Sequence, residues 1–327
     1  MNSTLIVQNL KASIQSNCQW VDILNNVTFS VDQEQIVGLV GESGSGKTFT
    51  IYAILKLLSK KKTRIDAKKL QIGNIDLLNA GEKLMQKILG SQVGFVIQNA
   101  QNCLNPSRKI KDQMIEGMIF HKLFPTKESA MREAIRLLDL VEIANSKKIL
   151  ESYPFELSGG MRQRVAIATT IAAKPKLLIA DEPTSSLDLF SQEATLNLLK
   201  SLQKELKMSI LLITHDLSIA KNFCDKIVVM YEGRTVETLN LQESIYPIHP
   251  YTKYLMASKP SFKTDKSIPL MTLKNPLNIN KSYQGCPFAK NCEYSKPICH
   301  QKIPETIQLQ KNHFVDCFLA DLAEDKN

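Results

Sequence analysis

Gly41-Glu42-Ser43-Gly44-Ser45-Gly46-Lys47-Thr48 matches G-x-x-x-x-G-K-[ST] at every required position. Glycines let a turn wrap its backbone N–H groups around phosphate oxygens, and a helix starting here adds the favourable end of its dipole. Lys47 is then placed to reach the β- and γ-phosphates of a nucleotide, and the Thr48 hydroxyl to ligate Mg²⁺. Further along, an apolar run at 177–180 ends in Asp181-Glu182. A carboxylate at the end of a buried strand is costly unless it faces a cation, which assigns Asp181 to Mg²⁺. Glu182 points elsewhere and is placed to polarise an attacking water. His215 closes a second apolar strand at 210–214 and is the natural sensor of a γ-phosphate.

A further phosphate-binding signal lies at Leu157-Ser158-Gly159-Gly160, just before a helical stretch at 161–170. A serine N-cap followed by two glycines makes a second anion-binding helix start. One nucleotide does not need two such termini 111 residues apart in one chain. Two facing chains would use both, with the nucleotide sandwiched between them.

These groups must be carried by an alternation of strands and helices. Val27–Val31 alternates, 36–40 is a continuous apolar strand, and the glycine-rich turn leads into a helix at about 48–58. Strands are expected at 69–72 and 93–97. Helix dominates from 99 to 170, with Met131, Ala134, Ile135, Leu138 and Val141 on one face. Beyond it come the strand at 177–180 and a helix with Ala194, Leu198, Leu199, Leu202 and Leu206 on one side. A hairpin then pairs 227–230 with 235–238 across Glu232-Gly233. Such alternation predicts a mostly parallel sheet with ligands at the strand C-termini. After about residue 241 the pattern weakens, punctuated by Pro247, Pro250, Pro260, Pro269 and Pro276.

The 327 residues are 43% hydrophobic and 22% charged, which excludes wholesale disorder. No apolar run reaches the length of a membrane helix, and Met1-Asn2-Ser3-Thr4 lacks the start of a secretion signal, so a cytosolic location is expected. The net charge of +9 is spread along the chain; the one tight basic run, Lys60-Lys61-Lys62 with Arg64, has no interleaved aromatics, which argues against nucleic acid as a partner. Cys18, Cys103 and Cys224 are scattered and read as small buried apolar residues. Cys286, Cys292, Cys299 and Cys317 crowd the last 42 residues and suggest a metal or cluster site.

The whole set resembles the ATP-binding subunit of an ABC transporter, with the motifs in the family's order across 20–240. Residues 41–48 are similar to its phosphate loop, Gln98 to its glutamine loop, and 157–160 with Gln163 to the signature that meets the partner's ATP. Residues 177–182 resemble its magnesium strand and catalytic glutamate, Ser186-Leu187-Asp188 its dimer loop, and His215 its switch histidine. The resemblance implies ATP as ligand, Gln98 as a further Mg²⁺ ligand, and Trp20 stacked on adenine, although the residues alone fit a packed indole equally. It also implies a P-loop NTPase fold of α/β class: a domain at 1–240 with an antiparallel β-subdomain and a helical subdomain at about 99–170, then an extension at 241–327. Met161 after the glycines, Cys103-Leu104-Asn105-Pro106, His249-Pro250-Tyr251-Thr252 and Gly285-Cys286-Pro287-Phe288 narrow the likeness to the peptide-importer branch (oligopeptide, dipeptide and nickel systems). Two positions depart from that branch: Asn99 stands where it has an acid, and Glu34-Gln35 replaces a Gly-Glu turn.

The cysteines run C-x5-C-x6-C-x17-C. Zinc modules mostly use C-x2-C knuckles, whereas wider gaps suit a [4Fe–4S] cluster, which the branch resemblance also implies. Zinc and unliganded thiols stay open as alternatives. The expected function is ATP hydrolysis powering peptide uptake at the cytoplasmic face of the bacterial cell membrane, with a nickel or other small-solute importer as the alternative. The implied partners are a second ATPase subunit, preferably a different one, two transmembrane permease subunits and, indirectly, an extracytoplasmic solute-binding protein. A DNA-repair or chromosome ATPase shares the signature, but the 109 residues of 49–157 leave no room for its long coiled coil. A purely regulatory binding protein is disfavoured by the intact Lys47, Asp181, Glu182 and His215.

Overall fold

The computed structural model describes residues 3–185, 187–243, 246–258, 283–310 and 312–320. Ser186, Pro260, Pro269 and Pro276, named above, lie outside the described residues. The chain opens with two long strands, β1 (Ser3–Ser16) and β2 (Gln19–Asp32), joined by Asn17-Cys18. Both joining residues have positive φ, +47° and +64°, as a two-residue hairpin turn requires. β3 (Ile36–Val40) follows and is buried throughout. Then come α1 (Lys47–Ile54) and three short strands, β4 (Thr63–Asp66), β5 (Lys69–Ile72) and β6 (Ile75–Asp76). These strands form a sheet in the order β2-β1-β5-β6, with β4 also on β1, and both β4 and β5 run antiparallel to β1. This is the expected antiparallel subdomain. The helix after the glycine-rich turn stops at Ile54, not near 58, and Leu57 is 50% exposed.

The chain divides into two compact units. The first comprises 1–4, 31–35 and 79–212. It holds α2 (Glu82–Ser91), β7 (Val93–Val96), α3 (Ile110–Phe120), α4 (Lys127–Leu140), α5 (Ser146–Glu151), α6 (Gly159–Ile171), β8 (Leu177–Asp181) and α7 (Leu189–Leu206). β7 and β8 are parallel, and β9 (Ser209–Thr214) lies beside β8. β8 is buried at all five positions, as a strand covered on both faces must be. On α4 the buried face runs through Ala130, Ala134, Leu137 and Leu138, while Met131 and Ile135 sit at its edge. On α7 Leu198, Leu199 and Leu202 are buried, but Ala194 is exposed; the stripe begins one turn later than its periodicity suggested.

The turn at 32–35 shows how the chain manages without the usual glycine. Glu34 has φ +57°, a left-handed conformation costly for a residue with a side chain. Its N–H donates to Ser209 Oγ at 3.1 Å, its carbonyl accepts from Gln203 Nε2 at 2.6 Å, and Gln35 N–H returns to Asp32 O at 3.3 Å. Hydrogen bonds from α7 and β9 hold the strained residue in place.

The second unit comprises 5–30, 36–78 and the chain from 213 on. It adds α8 (Leu217–Phe223), β10 (Lys226–Tyr231), β11 (Arg234–Asn240), α9 (Pro250–Ala257), α10 (Pro297–Gln301), β12 (Thr306–Gln310) and β13 (His313–Asp316). β3 pairs parallel with β10, and β10 forms the expected hairpin with β11, turning at Glu232-Gly233 with φ +42° and +74°. β13 then adds antiparallel to β11, with Glu237 opposite Val315, and β12 adds outside it. The extension is thus continuous with the sheet of its unit. Among the described residues, no helix is long and apolar enough to cross a membrane.

Candidate functional site

The phosphate loop leaves the C-terminal end of β3 and enters α1 in the second unit. Gly46 caps the helix at φ +102°, a conformation that favours glycine. Gly41 is needed for space, because a Cβ there would overlap the Met230 carbonyl oxygen and approach Ser45 Oγ to 2.7 Å. Lys47 is 6% exposed, and its ammonium donates to Gly41 O at 2.8 Å and Glu42 O at 2.9 Å. Its charge is therefore folded back inside the loop, where an arriving phosphate could take over from two carbonyls. Ser45 is buried, Thr48 is half-buried at the first turn of α1, and Ser43 and Gly44 are exposed. The loop is fastened to the β10–β11 hairpin by Gly233 N–H donating to Ser45 O at 2.9 Å.

In the first unit, Asp181 ends β8 at 2% exposure, a hard oxygen donor of the kind Mg²⁺ prefers. Glu182 follows with φ +44°, uncommon for a non-glycine residue, and its carbonyl accepts from Ser185 N–H at 3.2 Å. This left-handed step turns the glutamate side chain away from the strand, and Gln98 Nε2 donates to its Oε2 at 3.1 Å. Gln98 and Glu182 are thereby brought together, a pairing across 84 residues that no local pattern announces. Asn99, the departure from the branch, has φ +58°; asparagine tolerates that region better than most residues. His215 lies exposed just after β9, in the second unit. Asp216 beside it caps α8 by accepting from Ser218 N–H at 2.9 Å.

Ser158 caps α6 as expected, its Oγ accepting from Met161 N–H at 3.3 Å. Ser158 and Gly160 are exposed, and a Cβ at Gly160 would meet nothing within 4 Å. This helix start is open to solvent. Gln163 departs from its expected place in that surface: it is 8% exposed and its amide donates to Pro183 O at 2.6 Å. One turn into α6 the helix faces inward, so Gln163 ties the signature helix to the segment after Glu182. Asp188 caps α7, accepting from Ser191 N–H at 3.0 Å and Ser191 Oγ at 2.7 Å, and the Ser191 hydroxyl holds its carboxyl below the usual carboxylate range.

Trp20 is no packed indole. It is 36% exposed on β2, and the Arg64 guanidinium of β4 lies 3.9 Å from its ring centroid, a cation–π contact. Two of the three scattered cysteines also depart from expectation. Cys18 is exposed in the tight hairpin turn and Cys103 is exposed after a 3₁₀ turn, so only Cys224 is a buried apolar thiol.

All four terminal cysteines are free thiols and border one cavity, together with His249, Phe288, Ala289 and Tyr294. Burial pushes the Cys286 thiol up to about 12 and Cys317 up to about 11, with the neighbouring cysteines adding to the rise. Among the described residues no three His, Cys, Asp or Glu side chains are arranged to hold a metal ion. Glu237 is 1% exposed and accepts from Ile248 N–H at 2.7 Å and His249 N–H at 3.3 Å, with His313 Nε2 3.0 Å away. This carboxylate joins β11 to two parts of the extension, and nothing in its sequence neighbourhood signalled it.

The profile of the family described as "ABC transporter" matches residues 24–185, and that described as "Oligopeptide/dipeptide transporter, C-terminal region" matches 243–299. The chain is 37% identical over 317 residues to the oligopeptide transport ATP-binding protein OppD of Bacillus subtilis, covering 96% of this chain and 88% of that one. It is 36% identical to OppD of Escherichia coli, covering 93% and 89%. Against the dipeptide transport ATP-binding protein DppD of Bacillus subtilis it is 34% identical, covering 98% and 96%. Among solved structures, a dimeric ATP-binding cassette in a post-hydrolysis state bound to ADP and Pi is 26% identical with a TM-score of 0.61, covering 72% of this chain and 98% of that one. The cbiO1 subunit of Clostridium perfringens, part of an ABC transporter complex, is likewise 26% identical at a TM-score of 0.61, covering 74% and 90%.

Proposed function

The chain belongs to the ATP-binding subunits of ABC transporters, and from that premise we propose that it hydrolyses ATP to power peptide uptake across the bacterial cytoplasmic membrane. Lys47 and the loop amides of 41–48 hold the phosphates, and Trp20 stacks on the adenine. Thr48, Gln98 and Asp181 offer hard oxygen donors for Mg²⁺, which supplies charge neutralisation on the phosphates when bound. Glu182, steered by its left-handed backbone and the Gln98 amide, draws the proton from the attacking water, and His215 senses the γ-phosphate.

The observation that carries the proposal is the exposed start of α6. A capped helix terminus, Ser158–Gly160, open to solvent in a chain with its own complete phosphate loop, fits a nucleotide shared between two ATPase subunits. Asp188, exposed at the start of α7, belongs to the same partner-facing set. The partner is a related but different ATPase subunit, and the pair docks on two permease subunits at the cytoplasmic face, served indirectly by a solute-binding protein. No nucleic acid takes part. The four cysteines would hold a [4Fe–4S] cluster: they border one cavity, and their C-x5-C-x6-C-x17-C spacing suits four separated corners better than the C-x2-C knuckles of zinc modules.

Co-expression with its permeases and ATPase partner, reconstitution into proteoliposomes and assay with oligopeptide or nickel test the solute class. Peptide-stimulated ATPase activity that Glu182→Gln abolishes, with ATP binding retained, is the expected result. Undiminished hydrolysis by Glu182→Gln would refute the catalytic assignment, and stimulation by nickel alone would replace the substrate class.

A further inference from the structure

The His249-Pro250-Tyr251-Thr252 segment opens α9, and the ATP-binding reading leaves it without a task. Its tyrosine is spent on the phosphate loop. His249 caps the helix, its Nδ1 accepting from Tyr251 N–H at 3.1 Å. Tyr251 is fully buried, and its hydroxyl accepts from the backbone N–H of Glu42 at 3.0 Å. One turn later, Tyr254 donates its hydroxyl to Glu42 Oε1 at 3.2 Å, with the two tyrosine rings stacked 6.2 Å apart. Glu42 is the second residue of the loop, and its carbonyl is one of the two that hold the Lys47 ammonium. Its N–H, its carboxylate and its carbonyl are all engaged, two of them by the extension.

The support behind Tyr251 is rigid. Its ring packs against Tyr231 at 4.6 Å and Phe288 at 5.4 Å, and Phe288 packs on Tyr231 at 5.2 Å and borders the four-cysteine cavity. Phenylalanine would fill the same space at Tyr251 with no hydroxyl to satisfy, and burying a hydroxyl is unfavourable unless it is paired. Here the pairing is with a loop amide 209 residues away. We infer that Tyr251 and Tyr254 are positioning residues for nucleotide binding: the extension holds Glu42, and through it the resting place of Lys47, in the geometry that receives phosphates. The inference rests on the reading of 41–48 as a nucleotide site.

The test is the dissociation constant of a fluorescent ATP analogue with Mg²⁺, measured on the full chain as wild type, Lys47→Ala, Tyr251→Phe and Tyr254→Phe. Wild-type binding abolished by Lys47→Ala establishes the site; failure at this step overturns the nucleotide reading itself. Tyr251→Phe is expected to bind about tenfold more weakly, since an interior loop amide loses its acceptor, and Tyr254→Phe about threefold more weakly. In the assembled transporter, KM for ATP should rise in step while kcat stays within about twofold, a split that a general loss of structure would not produce. Unfolding midpoints and iron or zinc content should match wild type. Wild-type affinity in both tyrosine variants, beside a functioning wild type, would overturn the inference. Should Tyr251→Phe prove unstable, the partly exposed Tyr254 carries the same decision alone.

Discussion

Replacing Gly233 by alanine isolates how firmly the β10–β11 hairpin holds the phosphate loop. Gly233 has φ +74°, and a Cβ there would overlap the Ile23 carbonyl oxygen, lying 3.0 Å from its carbon and 3.2 Å from Leu24 Cα. Those are backbone atoms of β2 and cannot swing away. The peptide at Gly233 is also bonded on both sides: its N–H to Ser45 O at 2.9 Å, and its carbonyl from Asn25 N–H at 2.8 Å. The left-handed conformation costs alanine about 1 kcal/mol. Displacing the turn far enough to clear β2 weakens two backbone hydrogen bonds, each worth about 1 kcal/mol net. The sum is about 3 kcal/mol. Gly73, between β5 and β6, is the control: its φ is +54°, but a Cβ would meet nothing within 4 Å. Gly73→Ala should cost only the conformational part, about 1 kcal/mol. Trp20, the single tryptophan and a residue of the same unit, reports both in urea unfolding followed by fluorescence. Because Ser45 lies in the loop, Gly233→Ala should also weaken ATP binding roughly tenfold, which Gly73→Ala should not. Equal destabilisation by the two alanines, within about 0.5 kcal/mol, would refute the steric argument.

Other perturbations test separate parts of the chain. Glu34→Gly should raise stability by about 1 kcal/mol in urea unfolding by relieving the left-handed backbone at φ +57°, and any loss would mean that the Ser209 and Gln203 bonds have fully absorbed the strain. His249 is buried, and burial lowers its pKa to about 4 against the partial opposition of Glu237. It is therefore neutral when folded and protonated when unfolded between pH 6.5 and 4, so stability should fall with pH in that window by up to about 3 kcal/mol. His249→Asn, which keeps a capping acceptor, should flatten that part of the pH profile; an unchanged slope would refute the assignment. Cys292→Ser should release the extension to protease while leaving ATP binding intact. Anaerobically purified wild type should be brown, with absorbance near about 400 nm, whereas about one zinc per chain and no iron would substitute a zinc site.

What the sequence makes legible is structure that is local. The phosphate loop, the apolar strand ending in Asp181-Glu182, the Ser158 cap and the Glu232-Gly233 hairpin each depend on residues a few positions apart, and each stands where its pattern placed it. The errors share a different origin. Ala194 fits the periodic stripe of α7 but is exposed, and periodicity describes a face without saying where the cover ends. Residue type alone places Cys18 in the interior, yet the two-residue link between β1 and β2 demands positive φ and puts it outside. Gln163 stands beside the signature in sequence, yet it is already buried a few residues past the exposed start of α6, its amide bonded to Pro183 O.

The contacts that govern the site were beyond any window of sequence. Gln98 reaches Glu182 across 84 residues, and the Glu42 N–H reaches the Tyr251 hydroxyl across 209. Such bonds leave no mark on hydropathy or spacing, because either partner alone is an ordinary polar residue. Their trace in the sequence is indirect: aromatic residues at 251, 254 and 288, in a stretch whose regularity was fading, are more apolar mass than an exposed appendage needs. Tyr251 at full burial and Phe288 at 3% exposure show where that mass goes. An extension that buries its aromatics against β10 and grips the phosphate loop forms part of the frame in which Lys47 waits for its ligand.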